Sequence, residues 1–119
     1  MKNLEPKIFR QRLIIEGKQR IKITPQLIKE YLTKLTVDIL HMRIQIGPII
    51  FSPNKFRNPL HHGLNGFIGW VESGGQFYSW DKLNFFTMDI YSCKKFNPKK
   101  VVKFTKEFFK TEEIAYKEI

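Results

Sequence analysis

The tetrapeptide Glu72-Ser73-Gly74-Gly75 constrains this chain more than any other feature. Phe67-Ile68-Gly69-Trp70-Val71 precedes it and Gln76-Phe77-Tyr78-Ser79-Trp80 follows it. Both flanks are short, aromatic and β-branched, and the glycines between them admit positive φ. The stretch therefore reads as two antiparallel strands joined by a sharp turn at Ser73. A hairpin commits its neighbours to a sheet, and the spacing predicts strands at about residues 65–72, 76–80 and 84–92.

The remaining elements follow from local signals. Residues 8–16 read as a strand. Thr24-Pro25 reads as N-cap and first helical position of a helix reaching about residue 35. Leu27, Ile28, Tyr31, Leu32 and Leu35 give that helix one apolar face. Residues 38–46 are expected as a strand. Residues 47–62, with Pro48, Pro53 and Pro59, are expected as a long, partly extended loop. Asn97 caps a last helix from Pro98 to about residue 110. The order β-α-β-β-β-β-α predicts an α+β fold, a two-layer sandwich with a mainly antiparallel sheet and two helices on one face. Residues 1–119 suffice for one domain with one core. The sheet's other face, with Phe67, Trp70, Phe77, Trp80 and Phe85 nearby, is expected to be aromatic and uncovered, which predicts a homodimer.

Composition bounds the function classes. The 42% hydrophobic content excludes disorder, and a single cysteine excludes an internal disulfide framework and suits a reducing compartment. Lys2, Glu5, Lys7 and Arg10 interrupt any signal-peptide core, and no run is long enough to span a bilayer, so the cytoplasm is the expected location. The net charge of +10 gathers partly at Lys94, Lys95, Lys99, Lys100, Lys103, Lys106 and Lys110. Such a surface suits phosphates, but Val101, Phe104 and Phe108 at helical spacing mark a buried stripe, so a solvated helix face is the preferred reading. A small basic nucleic-acid-binding domain is the alternative from another class, and steep weakening with salt distinguishes it.

Chemistry concentrates on Ser73. In a tight turn a serine hydroxyl can be pressed against the carbonyl of the preceding residue. Ser73 Oγ attacking the Glu72 carbonyl would pass through an ester and eliminate to leave a pyruvoyl group. That carbonyl forms Schiff bases with amines and then acts as an electron sink. A Ser73-His-Asp triad lacks a second motif. Gly74 and Gly75 do not have phosphate-loop spacing. His41, His61 and His62 lack a carboxylate or cysteine at ligand spacing, so no metal site is expected, although His61 or His62 could bring a proton near the serine.

The segment beyond the hairpin extends the pattern. Gly63-Leu64-Asn65-Gly66, Glu72-Ser73-Gly74, Trp80, Asp89-Ile90-Tyr91-Ser92-Cys93 and Asn97-Pro98 follow one another, and Arg12-Leu13-Ile14-Ile15-Glu16 precedes them. In order and spacing this resembles the short bacterial and archaeal form of the S-adenosylmethionine decarboxylase family. That form carries a Gly-x-Ser-Gly strand, a Glu-Ser-His, a tryptophan, an Asp-x-Phe-Thr-Cys strand end and an Asp-Pro. Three positions differ. Asn65 stands at the family's serine, Gly74 at the histidine after the processing serine, and Tyr78 at the histidine five residues beyond it.

The resemblance implies a decarboxylase of S-adenosylmethionine or a related amino acid, self-processed at Glu72-Ser73, with a pyruvoyl group derived from Ser73 as its cofactor. It implies Cys93 as the proton donor to the decarboxylated carbon. Glu16, Glu72 and Asp89 are the carboxylates for cationic parts of the substrate. Asn65 is expected to donate a hydrogen bond during processing, and Tyr78 to replace the missing histidine in proton transfer. The alternative within the resemblance is an unprocessed relative that binds S-adenosylmethionine or an amino acid.

Overall fold

The computed structural model describes residues 1–119. Six strands form one antiparallel sheet: β1 (Gln11–Gln19), β2 (Ile44–Phe51), β3 (Asn65–Trp70), β4 (Ser73–Trp80), β5 (Phe85–Ser92) and β6 (Thr111–Glu118). Their spatial order is β2-β3-β4-β5-β1-β6. Helices α1 (Pro25–Lys34) and α2 (Pro98–Phe108) cover one face, giving the expected two-layer α+β sandwich. Both helix starts are those the sequence marks. Thr24 accepts from the Leu27 amide, and Asn97 accepts from the amides of Lys99 and Lys100.

Strand alternation sorts the side chains. Leu13 and Ile15 of β1, Ile68 and Trp70 of β3, Phe77 of β4, and Phe86, Met88 and Ile90 of β5 are buried toward the helices. They meet Ile28, Tyr31, Leu32 and Leu35 from α1 and its extension, and Val101, Val102 and Phe109 from α2 and its end. The Tyr31 and Thr105 hydroxyls, 2.7 Å apart, tie the two helices together inside this core. Phe104 and Phe108 pack on Tyr31 at ring distances of 5.7 and 5.4 Å, so the aromatic stripe of α2 faces the core while its lysines face solvent.

Several expected elements are placed differently. Residues 38–46 are not one strand. A π-helical turn, Leu35–Leu40, continues α1, His41 closes it in the left-handed conformation, and β2 begins at Ile44. Continuing the helix buries Leu35, Thr36 and Leu40. It also lets Thr36 Oγ1 donate to the Leu32 carbonyl at 2.6 Å and accept from the Trp70 indole at 2.8 Å.

Pro48 lies within β2 and not in a loop, which an edge strand with an irregular register tolerates. The C-terminal residues form β6, which no sequence signal announced. Its Glu and Lys residues and its exposure are those of an edge strand, paired only with β1. The five aromatic residues around the hairpin divide between the two faces of the sheet. Trp70 and Phe77 are buried against the helices, while Phe67, Trp80 and Phe85 are half-buried on the opposite face.

Candidate functional site

The hairpin turn is tighter than its glycines suggest. Trp70 pairs directly with Ser73, so Val71 and Glu72 alone make the connection, and Ser73, Gly74 and Gly75 already belong to β4. The glycines serve close packing there. A Cβ on Gly74 would stand 2.8 Å from the Ile68 carbonyl oxygen, and one on Gly75 would stand 2.7 Å from Met88 Cε. Ser73 itself has φ +142°, a conformation that residues with a side chain seldom adopt.

The sheet register decides what Ser73 meets. It pairs with Ser92, the last residue of β5, so Cys93 emerges beside it. The Ser73 hydroxyl donates to Cys93 Sγ at 3.5 Å. The Cys93 backbone N–H donates to the Glu72 carbonyl oxygen at 2.9 Å. One residue thus polarises the carbonyl preceding Ser73 and accepts the hydroxyl that could attack it. The Tyr91 hydroxyl lies 3.8 Å from the same sulfur, and the Arg12 guanidinium sits over the Tyr91 ring at 4.6 Å. Hydrogen bonds from Ser73 and then Tyr91, with the charges of Arg10 and Arg12, hold the exposed Cys93 thiol below its ordinary range.

A groove of about 710 Å³ opens on the helix-free face next to this group. Ser73, Gly74, Gln76, Asp89, Tyr91 and Arg12 are among its lining residues. Asp89 points outward, opposite Gln76 on β4 and Ile14 on β1. Partial desolvation first, and the Glu16 charge second, hold its carboxyl above the usual range.

The other expected site residues lie apart from this centre. The Glu72 carboxylate is turned to Arg43, accepting from its backbone N–H at 3.0 Å and from its guanidinium at 3.1 and 3.0 Å. The backbone bond is the chief cause that holds Glu72 below the usual carboxylate range. Glu16 lines a second, smaller hollow of about 240 Å³ with Ile14, Ala115, Tyr116 and Lys117. Asn65 and Tyr78 are cross-strand partners. Tyr78 is five residues beyond Ser73 on β4, about 16 Å by strand rise. Its ring meets Phe67 edge-on at 5.8 Å, and its hydroxyl donates to Gln76 Oε1 at 3.4 Å.

The histidines take separate places. His61 Nδ1 accepts from the Trp80 indole at 3.2 Å, His62 Nε2 lies 3.0 Å from the Arg57 carbonyl, and His41 ends the π-helical turn. No three His, Cys, Asp or Glu side chains gather as a metal-binding group. Tyr91, Arg12 and Gln76 were not singled out from the sequence as site residues. Their signal was strand parity, since Tyr91 shares the face of Asp89, but it becomes readable only once β1 and β4 are known to flank β5.

Comparison with known proteins agrees with the fold. A crystal structure of the adenosylmethionine decarboxylase from Aquifex aeolicus VF5 superposes with a TM-score of 0.72 at 15% identity, over 94% of this chain and 89% of that one. No curated protein sequence matches the chain. The family model described as S-adenosylmethionine decarboxylase matches residues 21–119, most of the length, and the chain belongs to that family.

Proposed function

We propose that this protein is a pyruvoyl-dependent decarboxylase of S-adenosylmethionine or a related amino acid, self-processed between Glu72 and Ser73. One observation carries the reading: the Ser73 hydroxyl is 3.5 Å from Cys93 Sγ, while the Cys93 amide holds the Glu72 carbonyl at 2.9 Å. Nucleophile, acceptor and polarised carbonyl are then contributed by two strand ends that the sheet register holds side by side. The positive φ of Ser73 is consistent with strain that cleavage of the preceding peptide bond would relieve.

The residues present fit a pyruvoyl group at position 73. That position opens onto the groove. Once formed, the group would supply an electrophilic carbonyl able to withdraw the electrons released when a bound amino acid loses its carboxylate.

The chain's own residues supply the rest. Cys93 holds a proton on Sγ for return to the substrate carbon, and its partners Ser73 and Tyr91, which line the groove, fix the thiol beside it. Asp89 offers a carboxylate inside the groove for a cationic part of the substrate, and Glu16 on the same face extends that negative field. Glu72 acts on the turn through Arg43. Tyr78 bounds the outer end of the binding surface through Phe67 and Gln76, with Asn65 opposite it on β3. Domain 1–119 works as one unit, as a homodimer.

Denaturing mass spectrometry of the purified chain tests the proposal. Two fragments, 1–72 and a pyruvoyl-blocked 73–119, are expected, and Ser73→Ala should give one full-length mass. A wild-type chain that stays full-length after prolonged incubation would overturn the pyruvoyl reading and leave the groove as the binding site of an unprocessed relative.

A further inference from the structure

The mechanism above leaves the Ser73 proton without a destination. Tyr78 is remote along β4, and no histidine borders Ser73. The group nearest its hydroxyl is Cys93 Sγ at 3.5 Å, and the next polar atom on that sulfur is the Tyr91 hydroxyl at 3.8 Å. Tyr91 stands where the family pattern has phenylalanine, so its hydroxyl is an addition at the position that touches the sulfur. Its ring is fixed by the Arg12 guanidinium 4.6 Å above it.

We propose that Tyr91 is a positioning residue for self-processing, and that Ser73 Oγ, Cys93 Sγ and Tyr91 Oη form one proton-sharing chain in which Cys93 is the base. This rests on the Ser73–Cys93 reading of the site. The thiolate takes the hydroxyl proton as Ser73 Oγ bonds to the Glu72 carbonyl carbon. The carbonyl π pair moves onto the Glu72 oxygen, held by the Cys93 N–H. When that pair returns, the bond from the Glu72 carbonyl carbon to the Ser73 nitrogen breaks, and the proton on sulfur passes to the nitrogen. An ester and a free amine result, and Cys93 is a thiolate again.

Tyr91 works through Cys93. Its O–H donates to the anionic sulfur and stabilises it, which a phenyl ring does not do. Charged groups around the thiol act in the same sense. Arg10 from the N-terminal segment and Arg12 from β1 favour the thiolate, and its chain neighbour Lys94 is held by the His41 carbonyl at 2.8 Å. The Glu72 carboxylate, across the turn, is paired with Arg43.

The test is the pH profile of Cys93 alkylation by iodoacetamide, measured in the Ser73→Ala background so that cleavage plays no part. Adding Tyr91→Phe should move the profile to higher pH and slow alkylation at pH 7 by roughly threefold to tenfold. Coincident profiles would overturn the proposal. Tyr91 is exposed and the ring is retained, so thermal melting should be unchanged.

A reciprocal measurement needs no change at Tyr91. In Cys93→Ala its phenol, held above the ordinary range mainly by the bond to Cys93, should titrate at lower pH, and an unmoved titration counts against the proposal. In the Ser73 protein, Tyr91→Phe should slow fragment formation at neutral pH and recover at higher pH. If the wild-type chain never cleaves while the alkylation profile still shifts, the pyruvoyl reading fails and with it the role of Tyr91 in processing, and only the Tyr91–Cys93 coupling stands.

Discussion

At the residue scale, two carboxylates carry opposite linkage signs. Glu72 accepts from the Arg43 amide and guanidinium, which lowers its folded pKa. Its contribution to stability is present above its unfolded pKa and is lost as the pH falls through the folded value. Glu72→Gln should therefore lower the melting temperature at pH 7, with the gap closing in acid. Asp89 is held above its usual range by desolvation and by Glu16, so its charged form opposes folding. The folded state is favoured below the unfolded pKa, and that advantage disappears as the pH rises through the folded value. Asp89→Asn should thus raise the melting temperature at pH 7 and lose that effect in acid. Melting curves of three proteins across pH 3–8 check both signs. A neutral-pH gain from Asp89→Asn would mean that the groove keeps this carboxylate at the expense of stability, as expected of a ligand-binding group.

At the element scale, the β3–β4 hairpin was legible from sequence in kind but not in register. Gly74 and Gly75 suggested the turn, whereas both lie within β4 and the turn is Val71-Glu72. The reason is steric: their Cα atoms face neighbours that leave no room for a side chain. The two positions should respond unequally to alanine. At Gly74 the obstacle is the Ile68 backbone oxygen, pinned in the sheet, so Gly74→Ala should destabilise by about 2–3 kcal/mol. At Gly75 the first obstacle is Met88 Cε, the far end of a flexible side chain, so the effect should be nearer ~1 kcal/mol. Urea denaturation of both variants gives the order, and equal losses would contradict this packing argument. Strand β6 escaped sequence reading for the opposite reason. Its only half-buried aliphatic residue is Ile114, and an edge strand needs no apolar alternation to pair with β1.

At the scale of the whole molecule, both the core and an uncovered edge make predictions. Phe77 is fully buried at the centre, with Tyr31, Phe86 and Phe109 all within 5.9 Å by ring centroid. Phe77→Ala should cost about 3–5 kcal/mol, a large part of the stability of any single domain. Strand β2 is an outer strand of the sheet, and its Ile44, Ile46, Ile49 and Phe51 are exposed. An apolar, unpaired edge of this kind is a template for association, and a second copy of the chain is the expected partner. Light scattering at micromolar concentration should report twice the chain mass of 14.2 kDa, and Ile46→Lys should return the monomer. No helix is long and apolar enough to cross a membrane.

Periodicity and capping residues alone determined the two helices, the central strands and the α+β class, because those signals are local and each is repeated within its own element. Motif order determined the family. Tertiary structure alone decided which residues meet at Ser73. Cys93 is twenty residues away in sequence and becomes its neighbour through the pairing of Ser73 with Ser92. Tyr91 and Arg12 join them because β1 lies beside β5, a contact between chain ends that no short-range pattern encodes. Tertiary structure also turned Glu72 toward Arg43 and set Asn65 on β3 opposite Tyr78 on β4, away from Ser73, because a strand spaces its residues along a line and only sheet pairing brings distant ones together.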